Sequence, residues 1–241
     1  MPKFFFTVFL LSVNIAYGQG FQNGLILPTQ GFNQEICCIY SPKEGFNVYD
    51  NPNGEVVGRI TRNVAQNVGD QSFYRIYHIN HQTKAENQID LKFFKEIGYE
   101  IWAIPYSQRE KEFVKFSYSN QDLWLKQSEI EALGFKLVGW ESFLMANMDN
   151  LLGYYANGLN LREKPNIDSR IIRNLKGETN QIVLTNEKNG TWTKVKIIIH
   201  KKHPCVTNLS EKENIIEELE GWLKIVDCNG LPNIWYYSRG C

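Results

Sequence analysis

The sequence predicts a mainly β protein, made of two small units in tandem with short helical insertions. Two internal echoes and a series of turn signals carry that expectation. Gly158-Leu159-Asn160-Leu161-Arg162-Glu163-Lys164-Pro165-Asn166 repeats Gly45-Phe46-Asn47-Val48-Tyr49-Asp50-Asn51-Pro52-Asn53, with glycine, asparagine, proline and asparagine in place and the apolar residues in step. Trp124-Leu125-Lys126 recurs as Trp222-Leu223-Lys224, late in each half. One β unit is therefore written twice, and the two copies meet near residues 147–152.

Asn53-Gly54, Asn189-Gly190 and Asn229-Gly230 each separate apolar stretches, and Asn-Gly favours hairpins because both residues tolerate positive φ. Phe113 to Phe116 and Trp192 to Ile199 read as strands, the latter with alternating character. Three short helices are expected between them. Asp90 caps Leu91 to Ile97 ahead of Gly98, Ser128 with Glu131 forms a capping box that ends at Gly134, and Ser210 with Glu213 forms another that ends at Gly221. Strand runs with brief helices argue for small barrels or sandwiches, since a parallel α/β sheet needs longer crossover helices. Residues 87–100 and 200–220 read as insertions peculiar to each half.

Residues 1–18 have the form of a secretory leader. Lys3 is the positive region, Phe4 to Val13 the apolar core and Ala16-Tyr17-Gly18 the cleavage signal. The apolar run is shorter than the ~20 residues that span a bilayer. The expected product is exported, periplasmic or extracellular, without membrane insertion. Without the leader the chain has 25 basic against 26 acidic residues, a balance that argues against nucleic acid as a partner. Residues 19–35 then form an N-terminal segment, 36–146 the first unit and 151–241 the second.

Five cysteines leave at least one unpaired within the chain. If Ile36-Cys37-Cys38-Ile39-Tyr40 is a strand, Cys37 and Cys38 point to opposite faces. A hairpin at Asn229-Gly230 sets Cys228 opposite residue 231 and carries Cys241 far along its strand, beyond Gly221. That register brings Cys241 to Cys205, leaves Cys228 free, and predicts a Cys205–Cys241 disulfide.

Gly158 to Asn166, Gly190-Thr191-Trp192-Thr193-Lys194-Val195 and Gly221-Trp222-Leu223-Lys224, in that order, resemble bacterial SH3-type domains over residues 154–227. The first half is similar but degenerate, with Tyr49 in place of the arginine and no glycine before Trp124. The segment from Asn229 to Cys241 resembles the tail of uncharacterised exported proteins of the Bacteroidetes that carry such domains. The resemblance implies two small SH3-like β barrels in tandem and, for many relatives, binding of cell-wall peptide or another protein.

Chemical constellations are thin. His200, His203 and Cys205 are potential metal ligands, but Pro204 breaks regular structure, Lys201 and Lys202 repel a cation, and no metal site is expected. A cysteine peptidase would have to pair Cys37 or Cys38 with His78 or His81, without the helix that polarises a catalytic thiol. No catalytic residue and no cofactor are expected. The aromatics remain. Trp192, Trp222 and Trp235 are expected in the core, whereas Tyr154, Tyr155 and Tyr236, with Arg162, form the candidate ligand-binding set. The expected protein is a secreted, non-enzymatic binding or scaffolding module whose partner is a peptide, peptidoglycan or a protein. The alternatives are a cell-wall hydrolase with an unrecognised active site and an interaction subunit of an envelope complex.

Overall fold

The computed structural model describes residues 22–30, 39–42, 44–64, 74–98, 101–146, 152–154 and 158–236. The strands of the first half are β1 (Gly24–Pro28), β2 (Ile39–Tyr40), β3 (Phe46–Tyr49), β4 (Val56–Val64), β5 (Tyr74–Asn80), β6 (Glu86–Ile89), β7 (Lys95–Gly98), β8 (Ile101–Tyr106), β9 (Gln108–Glu110), β10 (Phe113–Tyr118) and β11 (Gln121–Lys126). Helix α1 (Gln127–Ala132), β12 (Phe135–Gly139) and helix α2 (Trp140–Ala146) complete it. The second half runs β13 (Leu152–Tyr154), β14 (Leu159–Arg162), β15 (Ile171–Leu175), β16 (Asn180–Asn189), β17 (Trp192–His200), α3 (Glu211–Asn214), β18 (Ile215–Leu223) and β19 (Ile234–Tyr236).

These strands build three sheets, antiparallel apart from the β2–β8 pair. One seven-stranded sheet has the order β6-β5-β4-β3-β11-β10-β9, and the other β15-β14-β18-β17-β16-β13-β19. Both contain the same five-strand path, β4-β3-β11-β10-β9 in the first and β15-β14-β18-β17-β16 in the second. The duplication extends to register. Tyr49 faces Trp124 across β3 and β11, as Arg162 faces Trp222 across β14 and β18. A bulge interrupts the opening hairpin between Val48 and Tyr49 in one copy and between Leu161 and Arg162, the equivalent residues, in the other. Gly45 and Gly158, which lead the two opening strands, have φ of +80° and +70°. The next hairpins match as well, since Lys111-Glu112 joins Glu110 to Phe113 and Gly190-Thr191 joins Asn189 to Trp192.

The third sheet has the order β12-β1-β8-β2, with β7 also paired to β8, and lies between the two hydrophobic cores. Side chains alternate across a strand, so one strand serves both cores. Ile26, Ile104, Phe135 and Leu137 pack with Phe46, Val48, Ile60, Val114, Phe116 and Leu125 of the first half. Leu25, Ala103 and Val138 pack with Leu161, Leu184, Val195, Ile197 and Leu223 of the second. A strand buried on both faces needs a continuous apolar run, which Gly24-Leu25-Ile26-Leu27-Pro28 supplies. Asn23, just ahead of it, donates from Nδ2 to the Asn229 carbonyl and ties this segment to a turn near the end of the chain.

Several sequence expectations are corrected. Each seven-stranded sheet is an open path among the described residues, so neither is a closed barrel. Asp90 does cap a helix by accepting from the Lys92 amide, but only the 3-10 turn Leu91–Phe93 follows, after which β7 pairs with β8. Ser210 and Glu213 do form a capping box, yet α3 ends at Asn214. The β-branched pair Ile215-Ile216 opens a strand that β17 pairs along its length, and tertiary pairing overrides helix propensity there. Helix α1 begins one residue ahead of Ser128, which makes no cap. Helix α2 was not anticipated. Its signal is Trp140, Phe143 and Leu144 at helical spacing, all three buried. Asp227 stands opposite Leu231 in the Asn229-Gly230 turn, and β19 then leaves β18 to pair with β13. The hairpin register assumed between β18 and the segment after Asn229-Gly230 is therefore not the one formed up to Tyr236, while Cys241 lies outside the described residues.

Candidate functional site

The duplicated register places an equivalent cluster on the outer face of each seven-stranded sheet. Leu123 and Leu125 point into the first core, so Trp124 points outward, and Trp222 does the same between Gly221 and Leu223. Around Trp124 stand Asn47 and Tyr49 on β3, Lys115 directly across on β10, and the pair Phe113 and Lys126. Around Trp222 stand Asn160 and Arg162 on β14, Lys194 directly across on β17, and the pair Trp192 and Lys224, whose ammonium lies 5.2 Å from the Trp192 ring centroid. Asparagine, tryptophan and two lysines recur, while Tyr49 becomes Arg162 and Phe113 becomes Trp192.

In the first copy this face is covered. After Lys126 the chain turns into α1, whose Ile130 joins the first core and whose Glu129 reaches back across β3. Asn47 Nδ2 donates to Glu129 Oε2 at 3.1 Å, and the Tyr49 hydroxyl donates to Glu129 Oε1. Burial, then this bond to the carboxylate and its charge, pushes the Tyr49 phenol up to about 12, so it stays a donor at ordinary pH. Tyr49 also meets Phe113 edge to face at 5.2 Å, and Trp124 is only 8% exposed.

In the second copy no helix among the described residues covers the same face. The chain continues extended beyond Leu223, with Ile225 and Val226 buried in the second core. Asp227 stands five residues after Trp222, as Glu129 stands five after Trp124. Its carboxylate instead accepts from the amides of Asn229 and Leu231 and holds its own turn. Trp192 and Trp222 are each half-buried. They lie outside both cores, against the expectation of core packing. The Arg162 guanidinium donates at 2.7 Å to the Ser169 carbonyl and thereby also fixes the turn after β14. Lys194 bonds Glu187 at 3.0 Å, which raises its pKa, and Lys196 pairs with Glu218 at 2.9 Å.

The sequence-nominated residues divide. Tyr154 and Tyr236 sit on paired strands, facing Ile234 and Leu152 in the backbone register, whereas Tyr155 lies outside the described residues. Arg162 is on β14, with β18, β17 and β16 between it and β13, so the sheet order does not bring it to the tyrosines. Cys228 is free and exposed. Cys205 is disulfide-bonded, while Cys37, Cys38 and its expected partner Cys241 lie outside the described residues. Trp235 is half-buried and works as a joint. It stacks on Phe143 at 5.8 Å, meets Trp140 edge to face, and lies under the Lys95 ammonium at 4.0 Å, a lysine whose pKa burial lowers.

His78 and His81, weighed as bases for a thiol, sit in the β5 region, where His78 Nδ1 is 2.6 Å from the Tyr118 hydroxyl in the core. His200 Nε2 meets Gln181 Oε1 at 3.1 Å, and His203 Nδ1 accepts from the Cys205 amide. No group of three His, Cys, Asp or Glu among the described residues is arranged to hold a metal ion. No helix among them is long and apolar enough to cross a membrane. No family model, curated protein or solved structure matches this chain.

Proposed function

We propose that the chain is an exported, non-enzymatic binding or scaffolding module built from two SH3-like units, the second of which presents its outer tryptophan face to a partner. The supporting observation is the contrast between copies, since the face that α1 covers in the first has no covering helix among the described residues in the second. Half-buried tryptophans beside cations offer a large apolar contact area with little entropy to lose on binding. The five-strand order, bulge and hairpins common to both halves support the reading of the two units as copies of one SH3-like fold. Peptide is the ligand class that such exposed aromatics suit best, either as cell-wall peptide or as a protein partner.

The test is retention of the mature chain on purified peptidoglycan sacculi and, separately, on envelope extract. A double Trp192→Ala and Trp222→Ala variant should lose most retention at an unchanged thermal midpoint. Equal retention of the two proteins would remove this face as the binding surface. We also propose that Cys241 is the partner of Cys205, closing a loop that stabilises the fold by about 3 to 4 kcal/mol in the chain-entropy model. Non-reducing peptide mapping should recover that linked pair, and a Cys205 peptide joined to Cys37 or Cys38 would refute it.

A further inference from the structure

The two copies differ at one point that bears on ligand chemistry. In the first, a carboxylate sits on the outer face between an asparagine and a hydroxyl donor, and both donors come from the opening strand. In the second, the asparagine remains as Asn160, the donor beside it is the stronger Arg162, and Trp222 and Lys224 repeat Trp124 and Lys126. Among the described residues the carboxylate alone has no counterpart, because Asp227 is engaged in its own turn. An arginine in place of the tyrosine makes the position more favourable to a carboxylate, since a guanidinium adds charge and a forked donor geometry.

We infer that Asn160 and Arg162, with Trp222 beside them, are a docking site for a carboxylate side chain of a partner polypeptide, a glutamate or aspartate on an acidic segment laid across β14 as α1 is laid across β3. Charge favours this occupant. Arg162 and Lys224 flank the position, and three of the acids on the same face are paired, Glu187 and Glu220 to Lys194 and Glu218 to Lys196. Arg162 uses Nη1 on the Ser169 carbonyl, and a guanidinium carries five N–H donors, so holding the turn leaves capacity for an incoming carboxylate. Asn160 accepts at Oδ1 from Asn174, which orients its amide with Nδ2 as the donor, the atom that Asn47 uses on Glu129. The inference rests on the second unit being a binding module and adds the chemical group it recognises.

The probe is an acetylated nonapeptide with the sequence of residues 126–134, which supplies the first copy's own occupant in trans. Its counterpart carries Gln at the Glu129 position. Titrated into the ¹⁵N-labelled mature chain, the acidic peptide should shift the amides of residues 159–162 and the Trp222 indole N–H, and bind about tenfold more tightly than the Gln peptide, the scale of one hydrogen bond to a charged group. Arg162→Gln should remove that preference. Arg162→Tyr, which installs the first copy's donor, should retain part of it, and this separates recognition from mere support of the turn. Equal binding of the two peptides, a preference that survives Arg162→Gln, or no shift at residues 159–162 would each overturn the inference. Tryptophan-dependent retention on sacculi or envelope extract would still hold in those cases if only the carboxylate site is wrong.

Discussion

Alanine in place of Gly24 should destabilise the protein by at least about 3 kcal/mol, the upper end of overpacking costs. Gly24 lies in β1 between two neighbours, facing Gly139 on β12 and Tyr106 on β8. A Cβ there would stand 2.1 Å from the Val138 carbonyl oxygen and 2.8 Å from both the Gly139 Cα and the Tyr106 hydroxyl. The first two are backbone atoms of a paired strand, so relief requires β12 to separate from β1. Gly177 offers the control. Its φ is +76° and nothing lies within 4 Å of its would-be Cβ, so Gly177→Ala meets only the left-handed backbone cost of about 1 to 2 kcal/mol. Urea midpoints at equal m-values compare the two. A Gly24→Ala midpoint at or above that of Gly177→Ala would mean that β1 does not lie between β8 and β12. Both cores share β1, so the loss should appear as one transition reported by tryptophans of both halves.

That shared strand shows where sequence reading ran out. The duplicated phrases were legible because register, bulge and pairing partner are local consequences of glycine, alternating apolar residues and a tight turn. Tyr49 opposite Trp124 and Arg162 opposite Trp222 follow from them. The middle sheet was not legible. Leu25, Ile26 and Leu27 form a short apolar run without periodicity, and only tertiary context assigns one face to each core. Ile215 to Leu223 read as helix for a related reason, since a valid capping box precedes them and their partner strand β17 is needed to hold them extended. For the candidate site, the sequence nominates Arg162 and expects Trp222 in the core, whereas Trp222 lies outside both cores. Counting from the buried Leu223 would have turned Trp222 outward, but its exposure depends on the absence of a covering helix. That absence is visible only in the different courses taken after Lys126 and after Lys224.

Acidification from pH 7.5 to 5.5 should lower the stability of the fold by up to about 3 kcal/mol, through two buried histidines, one in each half. His78 and His200 are each only 4% exposed. Burial holds both imidazoles below their ordinary 6.5. The neighbouring His81 lowers His78 further, while at His200 Glu211 partly opposes burial and His203 adds to it. His78 is the stronger case, because its Nε2 is buried without a hydrogen-bond partner and a proton there would be an unpaired charge in the core. The sign follows from proton counts. Well above 6.5 neither the folded nor the unfolded chain binds a proton at these sites, so stability there is unaffected. As the pH falls through 6.5 the unfolded chain takes protons that the folded chain refuses, and each site can remove at most about 1.4 kcal/mol per pH unit. That loss continues until the lowered folded values are reached. Carboxylates held low by their partners, such as Glu213 in its capping box, contribute only below about pH 5 and stay outside this window. His78→Gln should be less stable at pH 7.5, since it disturbs the contact with Tyr118, yet lose at most about half as much on acidification. Chemical denaturation at several pH values measures that slope independently of absolute stability. A His78→Gln slope equal to that of the parent chain would show that His78 does not carry the acid sensitivity.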